Sequence, residues 1–330
     1  MSVAESGFPS DGLLPEGGEL TARAIWYYYV GGMTQQQVAE KLGLTRLRVN
    51  RIIGQARADG LVRFDIRMPI AGCIALAEAL TERFGLAEAV VVPALDSVEE
   101  TQRAVGEAAG TLLDAMLEPG VDLGLGWGRT LWAGVRNLTA RRLADADVVT
   151  LMGSLTRGSG INTIGVATAV ANRIAAECHY LAAPIYCPTT DIRAALLSHP
   201  GLEEVLARAA SVDIAMVSVG DLSSRSILAS TSIVAHELES LRQAGAVGDV
   251  LGTFLDVDGR PVDHSLRQRV VGLAPDTFAA IPMRILASGG LHKLPIIRAT
   301  LLGPTVTHLV TDEAVARRLL AEDGIEHAEA

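Results

Sequence analysis

Cysteine is scarce in this sequence, and the few copies present do not form a recognisable site. The 330 residues include three cysteines, Cys73, Cys178 and Cys187. An odd number at wide spacing fits neither a disulfide framework nor a zinc site. We interpret them as small apolar residues of a protein from a reducing compartment. The histidines are scattered without an i, i+4 pair, so we assign no metal ligand, no cofactor and no catalytic residue.

Long apolar runs are also missing. No uninterrupted apolar stretch reaches the roughly 18 residues that a membrane helix requires, and no basic-then-apolar signal sequence is present. We therefore expect a cytoplasmic protein without a membrane partner. Hydrophobic residues make up 49% and charged residues 20% of the chain, which excludes a disordered protein. The length favours two domains.

Positive charge is scarce overall but concentrated near the N-terminus. The whole chain has a net charge of −10. Residues 19–68 carry eight basic and four acidic residues, a net charge of +4, whereas residues 69–330 carry −11. A small basic module joined to a large acidic one indicates a local polyanionic partner.

Residues 35–54 match the twenty positions of a helix-turn-helix. Ala39 falls where the two helices cross closely, and Gly43 falls in the turn, where a positive φ is required. Thr34 and Thr45 can N-cap the two helices. The apolar core positions are filled by Val38, Leu42, Leu44, Val49 and Ile52.

The second helix of this motif presents a polar face suited to double-stranded operator DNA. Arginine can bind guanine edges and asparagine can bind adenine, while hydroxyl and amide groups at helix N-termini suit phosphates. A strand at Leu61–Ile66 would add a wing whose Arg63 touches the DNA backbone. The alternative is a small helical packing unit with a solvated basic face. The predicted DNA-binding residues are Thr34, Gln35, Thr45, Arg46, Leu47, Asn50 and Arg51.

Beyond residue 73, short apolar strands alternate with longer helical stretches. This order predicts an α/β domain with a mostly parallel, Rossmann-like sheet covered by helices on both faces. A hairpin insertion is expected within residues 250–272. The predicted strands are Ala89–Val92, Asp122–Leu125, Val148–Met152, Tyr180–Ala183, Ile214–Val219, Arg284–Ala287 and Thr307–Val310, and the predicted helices include Val98–Leu117, Thr130–Leu143 and Ile161–Ala176.

Two glycine-containing loops join strands to helices and are predicted to bind an anion. Glycine lets backbone N–H groups turn towards an anion at a helix N-terminus, and Arg129 is placed to close on a phosphate. Lys293 is one of two lysines, against 26 arginines, which suggests selection for a compact charge. A tight turn without a ligand is the alternative. The residues concerned are Gly126, Trp127, Gly128, Arg129 and Thr130 in the first loop, and Ser288, Gly289, Gly290 and Lys293 in the second.

Acidic residues follow glycine at two further expected strand ends. Asp221 and Asp249 lie where an open α/β sheet places ligand contacts, and carboxylates suit sugar hydroxyls. Helix N-capping by these aspartates is a serious alternative. Met152 and Gly153 end another strand and are predicted to line the same crevice.

The combination and order of these motifs resemble the SorC family of sugar-responsive, DeoR-like transcriptional regulators. The resemblance runs from about Glu19 to Leu320. It rests on Met33–Arg51, Gly126–Thr130, Val219–Asp221, Gly245–Asp249 with Asp256–Gly259, Ser288–Gly290 with Lys293, and Val310–Ala314.

This resemblance implies three domains or segments: a disordered tail at 1–18, a winged helix-turn-helix at 19–68, and an effector-binding and oligomerisation domain at 69–330. The last would share the fold of glucosamine-phosphate deaminase and ribose-phosphate isomerase without their activity. The resemblance also implies a bound phosphorylated sugar or polyol and a homotetramer. Some family members hold the effector as a lysine Schiff base, but because this chain has only Lys41 and Lys293, we expect a noncovalent complex. The phosphate would lie against Gly126–Thr130 and Lys293, and the sugar against Asp249. The rival hypothesis is a sugar-phosphate isomerase or deaminase that uses Asp221 or Asp249 as a general base.

Overall fold

The chain divides into two compact units, at residues 1–67 and 68–330. The computed structural model describes residues 18–62, 71–156, 161–223, 226, 228, 231–303 and 305–321. The first helix begins at Gly18, so the predicted tail is one residue too long at its described end. The rest of that tail, and the predicted wing from residue 63 onward with Arg63, lie outside the described residues. No helix among the described residues is long and apolar enough to cross a membrane.

The N-terminal unit consists of helices whose ends are fixed by local sequence. The Thr34 hydroxyl accepts the Gln37 N–H in a capping box, and the Thr45 hydroxyl accepts the Arg48 N–H. Gly43 has φ of +65°, as the turn requires. The helices are α1 (Gly18–Ile25), a short π-helical turn (Trp26–Val30), α2 (Gln35–Leu42) and α3 (Arg46–Ala58).

Between these helices lies a small apolar core. Val38, Ala39 and Val49 are buried as predicted, and the other predicted core residues, Leu42, Leu44 and Ile52, are half-buried and pack against them. Ile53, which was not predicted, is buried as well. The buried positions of α3 recur at four- and three-residue steps. The helix therefore keeps one continuous apolar stripe against α1 and α2 and exposes the opposite face.

The second unit is built on a seven-stranded sheet in which every pair of neighbouring strands is parallel. The strand order is β1-β10-β9-β5-β2-β3-β4. The strands are β1 (Glu88–Val92), β2 (Leu123–Leu125), β3 (Asp147–Thr150), β4 (Glu177–His179), β5 (Ile214–Val217), β9 (Met283–Ala287) and β10 (His308–Asp312). A separate antiparallel sheet contains β6 (Val219–Asp221), β7 (Gly248–Val250) and β8 (Thr253–Leu255).

Helices cover both faces of the parallel sheet, as the alternation of strands and helices predicted. Alternate strand residues enter different cores: Met216 packs with Leu113 and Leu131, whereas Val217 packs with Leu80 and Leu309. The α-helices are α4 (Ala71–Phe84), α5 (Val98–Met116), α6 (Arg129–Val135), α7 (Thr163–Ile174), α8 (Thr190–Leu197), α9 (Pro200–Ala210), α10 (Ser232–Gln243), α11 (Pro275–Ala279), α12 (Leu294–Leu302) and α13 (Glu313–Ala321).

The strand order creates a crevice at the carboxyl end of the sheet. The chain runs from β2 through β3 to β4 at one edge, and then returns to place β5 on the other side of β2. Ligands of open α/β sheets bind at such a reversal of strand order. The loops that follow β2, β5 and β9 therefore meet in one region.

Two predicted elements are wrong because contacts distant in sequence override the local pattern. The helix predicted over Thr130–Leu143 ends at Val135, since Arg141 and Leu143 donate their N–H groups to carbonyls at the end of α7. The strand predicted at Tyr180–Ala183 lies earlier in the sequence, at β4. The Leu181 N–H donates to the Thr150 hydroxyl at 2.7 Å and is therefore not available to a strand partner.

Two further predicted segments differ in detail. The strand predicted at Ile214–Val219 is divided at Ser218 into β5 and β6. The predicted hairpin is present: after β8 the chain turns at Asp258 and Gly259, and Pro261 returns to pair with Leu255. An additional hairpin that the sequence did not predict precedes it, in which β7 and β8 are joined by a turn at Leu251 and Gly252 with φ of +50° and +78°.

Helices α5 and α6 pack with their backbones in contact. A Cβ atom on Gly106 would lie 2.1 Å from the Thr130 carbonyl oxygen, and one on Gly110 would lie 2.1 Å from the Gly134 carbonyl oxygen. Glycine at these two positions of α5 is therefore what allows α6 to approach. The approach fixes the first turn of α6, which carries Arg129 and Thr130.

Candidate functional site

A polar cavity of about 110 Å³ lies at the carboxyl end of the parallel sheet. This volume is well below the roughly 300–1,000 Å³ of sites for drug-sized ligands, so the cavity suits a small metabolite. Seven predicted effector-binding residues line it: Trp127, Gly128, Arg129, Thr130, Asp221, Asp249 and Lys293. The cavity thus brings together residues from the loops after β2 and β9 and from the antiparallel sheet.

The loop after β2 enters α6 through a glycine turn. Gly128 has φ of +119°, and its N–H is donated to the Ile161 carbonyl at 3.1 Å. This N–H is therefore occupied within the protein. Among the residues that the structure describes, no side chain caps α6, whereas Ser97 caps α5. The polar groups that this loop offers a ligand are the exposed Arg129 side chain and the first N–H groups of the helix.

The loop after β9 is held from below by Asp312. This buried carboxylate accepts the Gly290 N–H through Oδ2 at 2.6 Å and the Ala314 and Val315 N–H groups through Oδ1. A Cβ on Gly289 would lie 2.6 Å from the same Oδ2. Glycine is therefore required for Asp312 to fix the loop that presents Lys293.

Asp249 occupies the floor of the cavity, in the middle of β7. It lies opposite Gly220 in the antiparallel pair, and a Cβ at Gly220 would lie 2.3 Å from its Oδ1. The other oxygen, Oδ2, accepts the Gly252 N–H at 3.1 Å. Neither Asp221 nor Asp249 caps a described helix. The expectation that Asp249 ends a parallel strand is wrong, although the residue does line the cavity.

Burial and charge shift the pKa values of two facing groups. Burial raises the pKa of Asp249 to about 7, with a further raising effect from Asp221 and lowering effects from the Gly252 N–H and Lys293. Burial lowers the pKa of Lys293, against the opposing effects of Asp221 and Asp249. The cavity therefore holds a cationic side and a carboxyl side that is partly neutral near pH 7.

Six predicted effector residues do not line the cavity. Gly126 lies below it and donates its N–H to the Met216 carbonyl. Met152 is fully buried, and a Cβ on Gly153 would lie 2.6 Å from the Ala183 carbonyl oxygen. The remaining three, Ser288, Gly289 and Gly290, form the support of the Lys293 loop. These residues shape the site without facing its interior.

Several lining residues were not predicted. Glu99 and Gln102 face the cavity from the first turns of α5, and His292 precedes Lys293. The loop between β1 and α5 follows the carboxyl end of a parallel strand, so the rule that indicated the other loops also applies to it. The remaining unpredicted lining residues are Val98, Ser218, Val219, Gly220, Ser226 and Leu228.

A second polar cluster in this unit is explained by ion pairing. The side chains of Asp147, Glu177 and His179 lie within 4.8 Å of one another. Asp147 Oδ2 contacts His179 Nε2 at 3.0 Å and accepts from the Arg208 guanidinium at 3.1 Å. The Arg208 guanidinium therefore neutralises the charge of Asp147 and links α9 to β3 of the sheet.

In the N-terminal unit, the predicted DNA-binding residues share one surface. Arg46, Leu47, Asn50 and Arg51 are exposed on α3, whereas Val49 of the same helix is buried. Within the part of the chain that the structure describes, neither Arg46 nor Arg51 forms an ion pair, whereas Arg23 pairs with Glu19. The three predicted residues at the helix starts are Thr34, Gln35 and Thr45, of which the two threonines are the N-caps.

Known proteins share this arrangement over almost the full chain. Residues 68–321 match the family model "Sugar-bind", a sugar-binding domain. The transcriptional regulator LsrR of Klebsiella pneumoniae is 33% identical over 307 residues, covering 92% of this chain and 93% of the relative. The erythritol catabolism regulatory protein EryD of Brucella abortus is 30% identical over 307 residues, covering 92% and 96%.

A solved structure extends the likeness to three dimensions. The full-length sorbitol operon regulator SorC of Klebsiella pneumoniae matches with a TM-score of 0.71 and 27% identity, covering 92% of this chain and 98% of that one. These relatives are named as regulators, and their similarity spans both the helical N-terminal unit and the α/β unit. The chain belongs to the SorC family of sugar-binding transcriptional regulators.

Proposed function

We propose that this protein is a DNA-binding transcriptional regulator of a carbohydrate or polyol operon, controlled by a phosphorylated sugar or polyol. One observation carries the proposal: the cavity places Arg129 and Lys293 together with Asp221 and Asp249. Guanidinium and ammonium groups bind phosphate oxygens, and carboxyl groups accept hydrogen bonds from sugar hydroxyls. A phosphorylated polyol carries both kinds of group on one small molecule.

DNA binding is assigned to the exposed face of α3. Arginine reads guanine and asparagine reads adenine in the major groove, and both residue types are exposed there, the two arginines without an ion pair to any described residue. Thr34, Gln35 and Thr45, at the starts of α2 and α3, are assigned to the phosphate backbone. The N-terminal unit, residues 19–68, is thus the reading head and residues 69–330 are the effector-binding part.

Effector binding is proposed to change DNA affinity through a homo-oligomer, with a tetramer as the specific assembly. Paired heads must sit about 10 base pairs apart, or a multiple of it, to read two half-sites. A ligand that favours one arrangement of subunits changes this spacing. A coupling of about 1–3 kcal/mol corresponds to a 5- to 150-fold change in operator affinity. The molecular mass of the protein in solution tests the tetramer. Titration of operator DNA with and without effector tests the change in DNA affinity.

Replacement of Lys293 by alanine is expected to abolish most effector binding. A charge-assisted contact to phosphate contributes about 1.5–3 kcal/mol, so affinity should fall about 10- to 150-fold. Thermal-shift measurements with a panel of sugar and polyol phosphates identify the ligand, and titration calorimetry measures the loss. Lys41→Ala, which removes the only other lysine, should bind the ligand normally. A parent protein that is stabilised by no sugar phosphate would contradict the proposal.

The double variant Arg46→Ala, Arg51→Ala is expected to lose specific DNA binding while keeping its oligomeric state. Each base-reading arginine contributes about 1–3 kcal/mol of discrimination, so the two together should lower operator affinity at least about 30-fold. The charge-matched control is Arg23→Ala, Arg260→Ala, which removes two exposed ion-paired arginines. Fluorescence anisotropy at fixed salt measures both. Equal operator affinity of the two double variants would show that α3 is not the reading helix.

The raised pKa of Asp249 beside Lys293 also suits proton transfer, as an isomerase or deaminase would require. We propose binding without turnover, because the ligand is needed as a signal. Incubation with ribose and hexosamine phosphates, followed by product analysis, separates the two functions. Formation of product by the parent but not by Asp249→Asn would identify an enzyme.

A further inference from the structure

A large apolar side chain stands in the middle of the polar face of α3. Leu47 is 71% exposed, more than any other large hydrophobic residue in the described part of the chain. Single exposed apolar residues are common on protein surfaces and need no explanation by themselves. Here the position is informative, because Leu47 lies directly between the side chains assigned to base reading.

Helical spacing puts Leu47 on the same face as its polar neighbours. Residues three and four positions apart are adjacent on a helix surface, so Leu47 lies beside Asn50 and Arg51. Val49 and Ile53 are buried on the opposite side. Any surface that accepts Asn50 and Arg51 must therefore also cover Leu47.

The base edges of the major groove offer one apolar group, the C5-methyl of thymine. An exposed leucine placed among hydrogen-bonding residues is complementary to that methyl group. A cytosine at the same position would leave the leucine against a bare C5–H and an amino group. Leu47 therefore favours thymine through an apolar contact with its methyl group and not through charge or hydrogen bonding.

Asn50 is held in place from the neighbouring helix. Gln35, the first residue of α2, donates from Nε2 to Asn50 Oδ1 at 3.2 Å. This bond occupies one of the two lone pairs on the oxygen and leaves both amide N–H donors free. Asn50 can then accept from the adenine N6 amino group and donate to N7 at the same time, with its side chain already oriented.

The distance between the two readers limits the distance between the two bases. Leu47 and Asn50 are three residues apart, which is about 4.5 Å along the helix axis. Successive bases on one DNA strand are about 3.4 Å apart. The two side chains therefore reach neighbouring base pairs, or base pairs separated by one step.

We propose that Leu47 reads a thymine methyl group in each half-site and that Gln35 positions Asn50 to read an adenine one or two base pairs away. The inference rests on the proposed function, because it requires α3 to enter the major groove. It adds the identity of two bases, makes Leu47 a reading residue, and gives the Gln35 side chain, beside the phosphate contact already assigned to this residue, the role of positioning Asn50.

The test for Leu47 removes a single methyl group from the DNA. The full-length protein is first used to select duplexes from a random 25-base-pair library. Each thymine of the selected sequence is then replaced by deoxyuridine, which lacks only the C5-methyl. At one thymine per half-site, this change should lower the DNA affinity of the parent protein about fourfold, because one buried methyl group is lost. The DNA affinity of the Leu47→Ala variant should be the same for the thymine and the deoxyuridine duplex. Leu302→Ala, which truncates an exposed leucine of α12 in the α/β unit, should keep the fourfold loss.

The test for Gln35 uses 7-deazaadenine, which lacks the N7 acceptor. Replacement of one adenine near the sensitive thymine should weaken binding by the parent about fivefold or more and should not affect Asn50→Ala. In Gln35→Ala the same penalty should shrink to less than half while the melting temperature stays that of the parent. A purely structural role for Gln35 would change the melting temperature and leave the penalty intact.

The outcomes separate this inference from the function on which it rests. If a consensus is selected but no thymine is distinguished from deoxyuridine, DNA binding stands and the role of Leu47 is wrong. A full methyl penalty in Leu47→Ala, or a changed oligomeric state that assigns Leu47 to a protein interface, overturns the inference as well. If no sequence is selected at all, the proposed function fails together with it.

Discussion

Substitution of Gly106 by alanine should lower the free energy of unfolding by about 3 kcal/mol and should also weaken effector binding at least tenfold. In an exposed helix the same change stabilises by about 1 kcal/mol. Here the new methyl group would lie 2.1 Å from the Thr130 carbonyl oxygen and 2.8 Å from Ala133 Cβ. Overpacking of this kind typically costs 1–3 kcal/mol and occasionally more.

The loss of binding follows from the position of the clash. To relieve it, α6 must move away from α5 by more than an ångström, and its first turn carries Arg129 and Thr130. A displacement of this size is enough to disrupt a preorganised contact. Denaturant unfolding of the full chain measures stability, and calorimetry with the effector measures affinity.

Two matched variants make the result specific. Gly110→Ala creates the same overlap one turn further along α5, against Gly134, so it should destabilise equally but weaken binding less. Gly72→Ala at an exposed position of α4, whose new Cβ would be 4.0 Å from the nearest atom, should leave binding unchanged and should raise stability by up to about 1 kcal/mol. If Gly106→Ala is as stable as the parent, the close approach of α5 and α6 is not a property of the protein in solution.

The N-terminal unit was predictable because its structure is specified locally. The caps at Thr34 and Thr45 and the left-handed turn at Gly43 each depend on residues within one or two turns. Ile52 packs against the core as predicted, but Ile53, which continues the stripe begun at Val49, was missed. This omission leaves the surface assignment of Asn50 and Arg51 intact.

The α/β unit was predictable in its order of strands and helices, and less so at their ends. Apolar runs indicated the buried strands of the parallel sheet. The ends of α6 and β4 depend on Arg141 and on the Thr150 hydroxyl, whose partners lie about 30 residues away in sequence. A local pattern contains no information about such bonds.

The cavity shows which site residues a sequence can indicate. Glycine loops and a rare lysine pointed to Arg129 and Lys293. The sequence indicated Asp249 because it was expected at a strand end where an open α/β sheet binds ligands. In the structure Asp249 lies instead in the middle of β7, in the antiparallel sheet. Asp312, which fixes the Lys293 loop, and Gly106, which fixes Arg129, gave no signal as site residues because each acts through the backbone of another segment.

The variant Asp249→Asn should be more stable than the parent above pH 7, with an advantage that disappears in acid. The folded-state pKa of about 7 lies above the ordinary value of 3.8. Below pH 3.8 the carboxyl is protonated in both the folded and unfolded states, and the shift has no effect. Between 3.8 and about 7 the folded protein holds the proton more tightly, so its unfolding free energy falls as the pH rises.

Above pH 7 the loss of unfolding free energy caused by ionisation of buried Asp249 reaches its full size. A shift of about three pKa units at about 1.36 kcal/mol each corresponds to about 4 kcal/mol. Asparagine has the same shape, keeps an acceptor for the Gly252 N–H and does not titrate. The stability difference between variant and parent should therefore grow by about 4 kcal/mol between pH 4 and pH 8.

Urea unfolding of both full-length proteins across this pH range measures the difference. Asp258→Asn, which removes an exposed carboxylate, controls for the loss of one negative charge and should show no such growth. A difference for Asp249→Asn that stays constant with pH would mean that this carboxyl ionises as it does in the unfolded chain.

The same variant should bind the effector more weakly even where it is more stable. A buried carboxyl that destabilises the fold is retained when binding requires it, as stability–function trade-offs at sites show. Loss of a charge-assisted hydrogen bond to a ligand hydroxyl should lower affinity about 10-fold or more above pH 7. Because Asp221 and Lys293 also line the cavity, binding should be weakened rather than abolished. Unchanged affinity in a stabilised Asp249→Asn would remove Asp249 from the effector contacts and leave the cationic side of the cavity to account for binding.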